Sequence, residues 1–215
     1  MTPGKRAFDI VVALGLAVLL SPLVLAVAVM VRLRDGPPVF FLSERMMAPG
    51  RPFLLWKFRT MTPVDDDSGV SGGDKAARIT PIGRVLRRWR LDELPQLWNV
   101  LRGEMSFVGP RPPLRRYVEA FPELYADVLR ARPGITGLAT LIYHAEEERL
   151  LAPCRTAAET EAVYVRRCVP RKAQLDLIYA ARRDLCLDLW IMLATVFRRL
   201  PVVPGHPRRR SRAED

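Results

Sequence analysis

The stretch IVVALGLAVLLSPLVLAVAVMV, Ile10 to Val31, runs for 22 residues interrupted only by Gly15 and the pair Ser21-Pro22. About 20 apolar residues suffice to cross a bilayer as a helix. The run is long for the core of a cleaved leader, and Arg32 and Arg34 follow it where a small-residue cleavage site would stand, so it is expected to stay in the mature chain. Pro22, near its middle, removes one helix hydrogen bond and crowds the carbonyl four residues back. Lys5 and Arg6 precede the run, so both ends are basic, and the positive-inside bias is best satisfied if both stay in the cytoplasm. Two readings stand at this point: a re-entrant wedge broken at Ser21-Pro22, and an ordinary kinked spanning helix, since proline is tolerated in membrane helices.

Working outward, the 215 residues are enough for one ordinary core, and the formal charge of +11 asks for a polyanionic partner, whether nucleic acid, an anionic bilayer or a phosphorylated substrate. Only Lys5, Lys57, Lys75 and Lys172 of the 34 basic residues are lysine; the rest are arginine, whose planar fork suits phosphate. Cys154, Cys168 and Cys186 are odd in number and lack a Cys-x-x-Cys pair, so neither a disulfide framework nor a zinc site follows from them. With His144 and His206 the only histidines, a histidine metal site or Ser-His-Asp triad is nearly excluded. Chemistry must rest on carboxylates, arginines and backbone.

The remainder reads as α+β and mainly helical. Val39-Phe41 and Phe53-Phe58 predict a small hairpin around a Pro49-Gly50 turn. Thr62 to Asp74, with Asp65-Asp66-Asp67 inside it, reads as a mobile, solvated loop. Thr80 caps a helix with Pro81 at its first position, and Ile79, Ile82, Val85, Leu86 and Trp89 form its apolar stripe opposite Arg84, Arg87, Arg88 and Arg90. Such a basic amphipathic helix suits either an anionic membrane surface or a core with one solvated face. A second helix is expected from Glu93 to Leu101 with Asp92 as N-cap and a stop at Gly103. Val108 to Pro113 must be extended, Arg132 to Gly137 reads as a glycine-bearing loop, and helices are expected over Leu114–Arg130, Glu146–Val165 and Leu187–Leu200. This divides the chain into an apolar membrane segment (1–36), a compact domain (37–203) and a basic disordered tail (204–215).

The segment Arg87-Arg88-Trp89-Arg90-Leu91-Asp92-Glu93-Leu94-Pro95-Gln96 sets two carboxylates at a helix start directly after arginines. Dipole and guanidinium groups both favour ionised Asp92, and a positioned aspartate can attack phosphorus. Glu93 can share a Mg²⁺ ion with substrate phosphates. Arg111, on a proline-flanked loop, can neutralise charge on a transferred phosphoryl group. Spacing alone is equally met by Asp92 capping a helix and Glu93 complementing its dipole.

Several segments occur in an order that resembles the bacterial sugar transferase family, the small monotopic phosphoglycosyl transferases. They are Lys5-Arg6-x-Phe8-Asp9, Ser21-Pro22, Lys57-Phe58-Arg59-Thr60-Met61, Arg78-Ile79-Thr80-Pro81-Ile82-Gly83, Leu91 through Gln96, Leu97-x-Asn99-Val100-Leu101, Gly103-x-Met105-Ser106-x-Val108-Gly109-Pro110-Arg111-Pro112, and Arg132 through Gly137, with a weaker echo from Leu175-Asp176 to Thr195. The resemblance implies that Asp92 is the nucleophile of a covalent phosphosugar intermediate, formed as UMP leaves a UDP-sugar and resolved by polyprenol (undecaprenyl) phosphate. It implies Glu93 as the Mg²⁺ ligand and Arg87, Arg111, Lys57, Arg59 and Pro110 as the phosphate and nucleotide contacts. It also makes Ser21-Pro22 the turn of a re-entrant wedge at the bacterial inner membrane, with the active site on the cytoplasmic face and the product entering exopolysaccharide or glycoconjugate assembly. No nucleic acid is expected.

The sequence departs from that pattern at Met47, where a turn glycine is common, and at Arg90, where a small hydroxyl residue is common. It departs again over Thr140-Leu141-Ile142-Tyr143-His144, followed by Glu146-Glu147-Glu148. No multi-span region precedes the apolar run, as it does in larger members. These differences leave the sugar and the oligomeric state open. The competing expectation is a non-catalytic basic membrane adaptor, motivated by the charge and the Arg208-Arg209-Arg210 tail.

Overall fold

The computed structural model describes residues 1–64 and 73–197. The Asp65-Asp66-Asp67 run and the basic tail lie outside the described residues, as do the last three residues of the expected final helix.

Helix α1, Pro3–Arg34, is one uninterrupted element with Thr2 as N-cap and Pro22 inside it. The expected break at Ser21-Pro22 therefore does not divide it. Pro22 has no N–H for the carbonyl of Val18, and the Ser21 hydroxyl donates to that carbonyl at 2.8 Å instead, filling the vacated acceptor. The first half of α1 packs through Ala13, Leu16 and Ala17 into one apolar cluster, and the second half through Val24, Val27 and Val31 into another. Between them Val18 (76% exposed), Leu19 (71% exposed), Ser21 and Pro22 face outward.

Polar contacts fasten both ends. Lys5 pairs with Asp188, the Arg6 guanidinium donates to the Val100 and Leu101 carbonyls, and the buried Asp9 accepts from the Phe107 N–H. At the other end Arg59 donates to the Asp35 and Gly36 carbonyls, both at 2.6 Å, while the Thr80 hydroxyl donates to the Asp35 carboxylate at 2.7 Å.

Strands β1, Phe40–Ala48, and β2, Arg51–Phe58, form an antiparallel hairpin through a turn where Gly50 takes a left-handed φ of 69°. The hairpin is longer than Val39–Phe41 and Phe53–Phe58 imply, because the polar segment Ser43-Glu44-Arg45 gains a full ladder opposite Leu55, Leu54 and Phe53. After a 3₁₀ segment, Gly73–Arg78, helix α2 spans Pro81–Trp89 with Thr80 as its cap, as expected. A Cβ at Gly83 would run into the Thr60 backbone, so α2 can lie against the strand exit only with glycine there. A 3₁₀ turn, Leu91–Glu93, then leads to α3, Gln96–Arg102, which stops at Gly103 with φ 78°.

Strand β3, Ser106–Val108, follows, and then α4, Arg115–Ala120, and α5, Pro122–Val128. The single helix expected over Leu114–Arg130 is thus split, because Pro122 begins a new helix and Phe121 leaves helical geometry before it. Strand β4, Gly134–Thr136, corrects the expected loop: it pairs parallel with β3, Ser106 opposite Gly134 and Val108 opposite Thr136. Cβ atoms at Gly109 and Gly134 would overlap facing backbone, which is why these glycines are needed for the pairing. The chain continues through α6, Leu138–Leu151, α7, Ala157–Val163, a π-turn, Tyr164–Cys168, α8, Val169–Arg182, and α9, Leu185–Val196. The helix expected over Glu146–Val165 is replaced by α6, which begins earlier, and α7, restarted by a Thr156–Glu159 capping box.

Candidate active site

Strand periodicity builds the first part of the site. On β2, Phe53 and Leu55 point into the core, and Lys57, two residues further, follows the same direction and carries its amine inward. That register is braced by Asn99, fully buried on α3. Its side-chain oxygen accepts from the Trp56 N–H at 3.1 Å, and its amide nitrogen donates to the Leu54 carbonyl and the Glu104 carboxylate, each at 2.7 Å.

The second part is the turn after α2. Arg90 terminates that helix in the left-handed region, φ 57°, the one non-glycine with positive φ among the described residues. This conformation costs an arginine about 1 kcal/mol. It reverses the chain so that Asp92 and Glu93 fall in a 3₁₀ turn with both side chains turned inward, each 8% exposed. Asp92 is therefore not the N-cap of α3, whose N-terminal flank is Pro95.

The third part is the loop bearing Arg111. The Gly109 N–H donates to the Thr136 carbonyl and the Gly134 N–H to the Pro110 carbonyl, both at 2.9 Å, so the β3–β4 pairing fixes where Arg111 begins.

These parts meet at Glu93. Its Oε1 accepts from Lys57 Nζ at 3.1 Å and from Arg111 Nη2 at 3.2 Å, while Arg90 Nη1 stands 3.7 Å from Oε2. Burial opposes ionisation of Glu93, but Lys57, Arg111 and Arg90 outweigh it and hold its carboxyl well below the usual carboxylate range. Asp92 is in the opposite state. Burial pushes its carboxyl above the ordinary aspartate value, the neighbouring Glu93 charge adds to that, and Lys57, Arg87 and Arg111 pull it back only in part. The expectation that arginines and a helix dipole would lower Asp92 is thus reversed, because the turn buries it and α3 starts too late to offer its dipole.

Of the residues singled out in the sequence, Lys57, Asp92, Glu93 and Arg111 come together. Arg87 acts on Asp92 electrostatically and donates from Nε to the Thr60 hydroxyl at 2.9 Å. Pro110 belongs to the supporting loop. Arg59 is not brought into the cluster; its guanidinium fastens the end of α1. Ser21 and Pro22 lie on the outward face of α1. Sequence reading missed the bracing role of Asn99, whose signal was a polar residue between Leu97 and Val100 on an otherwise apolar face. It also left His144 without a place: the side chain stands 3.4 Å from Glu148 and feels both Arg90 and Arg111.

A magnesium ion is testable against this donor set. No group of three or more His, Cys, Asp or Glu that could hold a metal occurs among the described residues. Adjacent carboxylates nevertheless suit Mg²⁺, which draws on one or two of them and completes its shell with water and phosphate oxygens.

One buried carboxylate, Glu93, is held by lysine and arginine beside a second, Asp92, with no hydrogen bond among the described residues, an arrangement able to receive a phosphate and balance its charge. The chain belongs to the bacterial sugar transferase family, whose model matches residues 2–201. It is similar to an uncharacterized sugar transferase of Bacillus subtilis, 38% identical over 89% of this chain and 85% of the relative. It is also similar to a UDP-glucose:undecaprenyl-phosphate glucose-1-phosphate transferase of Caulobacter vibrioides, 39% identical over 89% of this chain and 68% of the relative. An enzyme of the same description from Klebsiella pneumoniae is 35% identical over 90% of this chain, which spans 39% of that relative's length. The protein is accordingly an enzyme of the transferase class, and the adaptor expectation drawn from charge alone gives way.

Proposed function

We propose that this chain transfers a sugar 1-phosphate from a UDP-sugar to polyprenyl phosphate, releasing UMP, by way of an aspartyl-phosphosugar on Asp92. The observation that carries the reading is the contrast at the turn: Glu93 is engaged by Lys57 and Arg111, whereas its neighbour Asp92 has a buried carboxylate without a hydrogen bond among the described residues. Glu93 holds the cations in place, and Asp92 remains available to react.

In the first step an Asp92 oxygen bonds to the phosphorus that carries the sugar. The bond from that phosphorus to the oxygen bridging it to the nucleotide breaks, and UMP departs with the electron pair. In the second step a phosphate oxygen of the lipid attacks the same phosphorus, the acyl-phosphate bond breaks, and the Asp92 carboxylate is restored. Lys57, Arg87 and Arg111 balance charge around the transferred group throughout. Mg²⁺ would be held by the Glu93 carboxylate and would supply further neutralisation of the diphosphate.

The same reading seats α1 as a shallow monotopic wedge in the inner membrane, its outward face over residues 18–22 dipping into lipid and both ends, with the site, at the cytoplasmic surface. Both ends of α1 fasten to one domain, and the stretch between buried Ala13 and Val27 rises only about 20 Å, short of the roughly 30 Å hydrocarbon core. Aqueous labelling of Gly4→Cys and Leu33→Cys, in a Cys186→Ser background, should reach both from the same side; opposite sides would exclude the wedge. For the reaction, incubation with a UDP-sugar and lipid phosphate should release UMP. Release of UDP would indicate direct glycosyl transfer and exclude the mechanism.

A further inference from the structure

Arg45 has no part in the chemistry described so far. It lies on β1 opposite Phe53, partly buried, and its guanidinium makes two neutral contacts, Nε to the Ser43 hydroxyl at 3.2 Å and Nη1 to the Pro112 carbonyl at 3.4 Å. No carboxylate among the described residues pairs with it. The acids in its neighbourhood are engaged elsewhere: Glu93 by Lys57 and Arg111, Glu161 by Arg116 and the Tyr117 hydroxyl, Glu147 by Lys172, and Glu44, its neighbour on the other strand face, by Arg115. Nη2 makes no hydrogen bond among the described residues and is not sealed from solvent.

The setting is a cationic one. Arg111 is close enough to push the Arg45 guanidinium down, with burial as the larger cause, to about 10. A guanidinium held in a partly desolvated pocket beside a second guanidinium, with no acid of its own, is costly unless an anion arrives. The two come from opposite sides of one seam: Arg45 from β1, and Arg111 from the loop whose Pro112 and Pro113 carbonyls accept from Arg45 and from the Met46 N–H. The seam thus fixes the spacing of the two guanidinium groups by backbone hydrogen bonds.

We propose that Arg45 is a phosphate-binding residue of the active site: its open Nη edge takes a non-bridging oxygen of the UDP-sugar diphosphate alongside Arg111, and keeps hold of the UMP phosphate after transfer. This rests on the nucleoside-diphosphate reading above. It gives the leaving group a binding arginine distinct from Lys57 and Arg111, which Glu93 shares.

The test is titration of UMP and of inorganic pyrophosphate into the full-length enzyme and into Arg45→Gln and Arg45→Lys. A charge-assisted hydrogen bond of this kind predicts about a 10- to 100-fold loss of UMP affinity in Arg45→Gln and a smaller loss in Arg45→Lys, which keeps the charge without the fork. The inhibition constant of UMP as product should rise in parallel, with a KM increase for the UDP-sugar larger than the fall in kcat. If Arg45→Gln does not fold, Arg45→Lys decides by the same titration. Unchanged UMP and pyrophosphate affinity in a folded variant overturns the proposal and leaves Arg45 a brace for the Pro112 carbonyl. Failure of the wild-type enzyme to bind UMP at all overturns the nucleotide reading itself, a separate outcome.

Discussion

Two buried pairs of acids in this molecule invite comparison. Asp9 and Asp188 join the start of α1 to the domain, and Asp92 and Glu93 occupy the turn after α2. In each pair one acid is tied to a cation: Asp188 to Lys5, with the Tyr179 hydroxyl donating to it at 2.6 Å, and Glu93 to Lys57 and Arg111. The second acids differ. Asp9 is 0% exposed, sealed against β3, where it accepts from the Phe107 N–H, whereas Asp92 keeps 8% exposure and no hydrogen bond among the described residues. Burial and a neighbouring cation therefore do not by themselves mark a reactive acid. What distinguishes Asp92 is that it is desolvated yet reachable, one residue along the chain from the acid that already holds the cations.

The sharpest way to break the comparison is Asp92→Asn. Turnover should fall by at least about 10³-fold, with a melting temperature equal to or above wild type, since removing a carboxyl that burial disfavours relieves the fold. A matching loss of activity in Asp9→Asn, per folded molecule, would erase the distinction. Lys57→Met comes next: UMP release should drop about 100-fold. Because Lys57 lowers the Asp92 pKa, its loss should shift the acid limb of the pH–rate profile to higher pH. A limb unmoved by that change would detach Lys57 from Asp92.

On the structural side, Asp188→Ala strands a partly buried Lys5 and the buried Tyr179 hydroxyl. Melting should fall by about 10 °C, while activity of the remaining folded enzyme persists. Asp176 on α8 gives a pH signature. Burial, opposed by Lys172, raises its carboxyl to about 7. Its folded pKa exceeds the unfolded one, so stability is full below about pH 4 and declines as pH rises to 7. Asp176→Asn should therefore gain more in melting temperature over wild type at pH 8 than at pH 5. The smallest effect is expected from Arg90→Gly, which removes left-handed strain worth about 1 kcal/mol and a long 3.7 Å ion pair. Its melting temperature should rise by a few degrees, with turnover changed only a few-fold.

Local signals carried much of this architecture. Thr80-Pro81 starts α2, Gly103 stops α3, and Pro49-Gly50 turns the hairpin, because caps and turns are written in single residues. Long-range pairing was not legible. Arg132 to Gly137 reads as a loop until Ser106-Phe107-Val108 is beside it, and Ser43-Glu44-Arg45 becomes strand only opposite Phe53-Leu54-Leu55. At the site, the residue types around Asp92 were visible, but their burial was not. The left-handed turn at Arg90 decides which way the carboxylates face, and nothing in an arginine announces it. Arg59, two residues beyond Lys57 and just past the end of β2, looked like a phosphate ligand for the same reason, but the Asp35 and Gly36 carbonyls at the end of α1 hold its guanidinium elsewhere.

The central claim is that Asp92 carries the phosphosugar between donor and lipid. Its most direct test is a single turnover with UDP-sugar in the absence of lipid phosphate, followed by proteolysis and mass spectrometry. The account predicts release of up to one UMP per enzyme and a sugar-phosphate mass on the peptide containing Asp92, lost when lipid phosphate is added. UMP release that waits for the lipid, or a sugar-phosphate mass on any other residue, would contradict it.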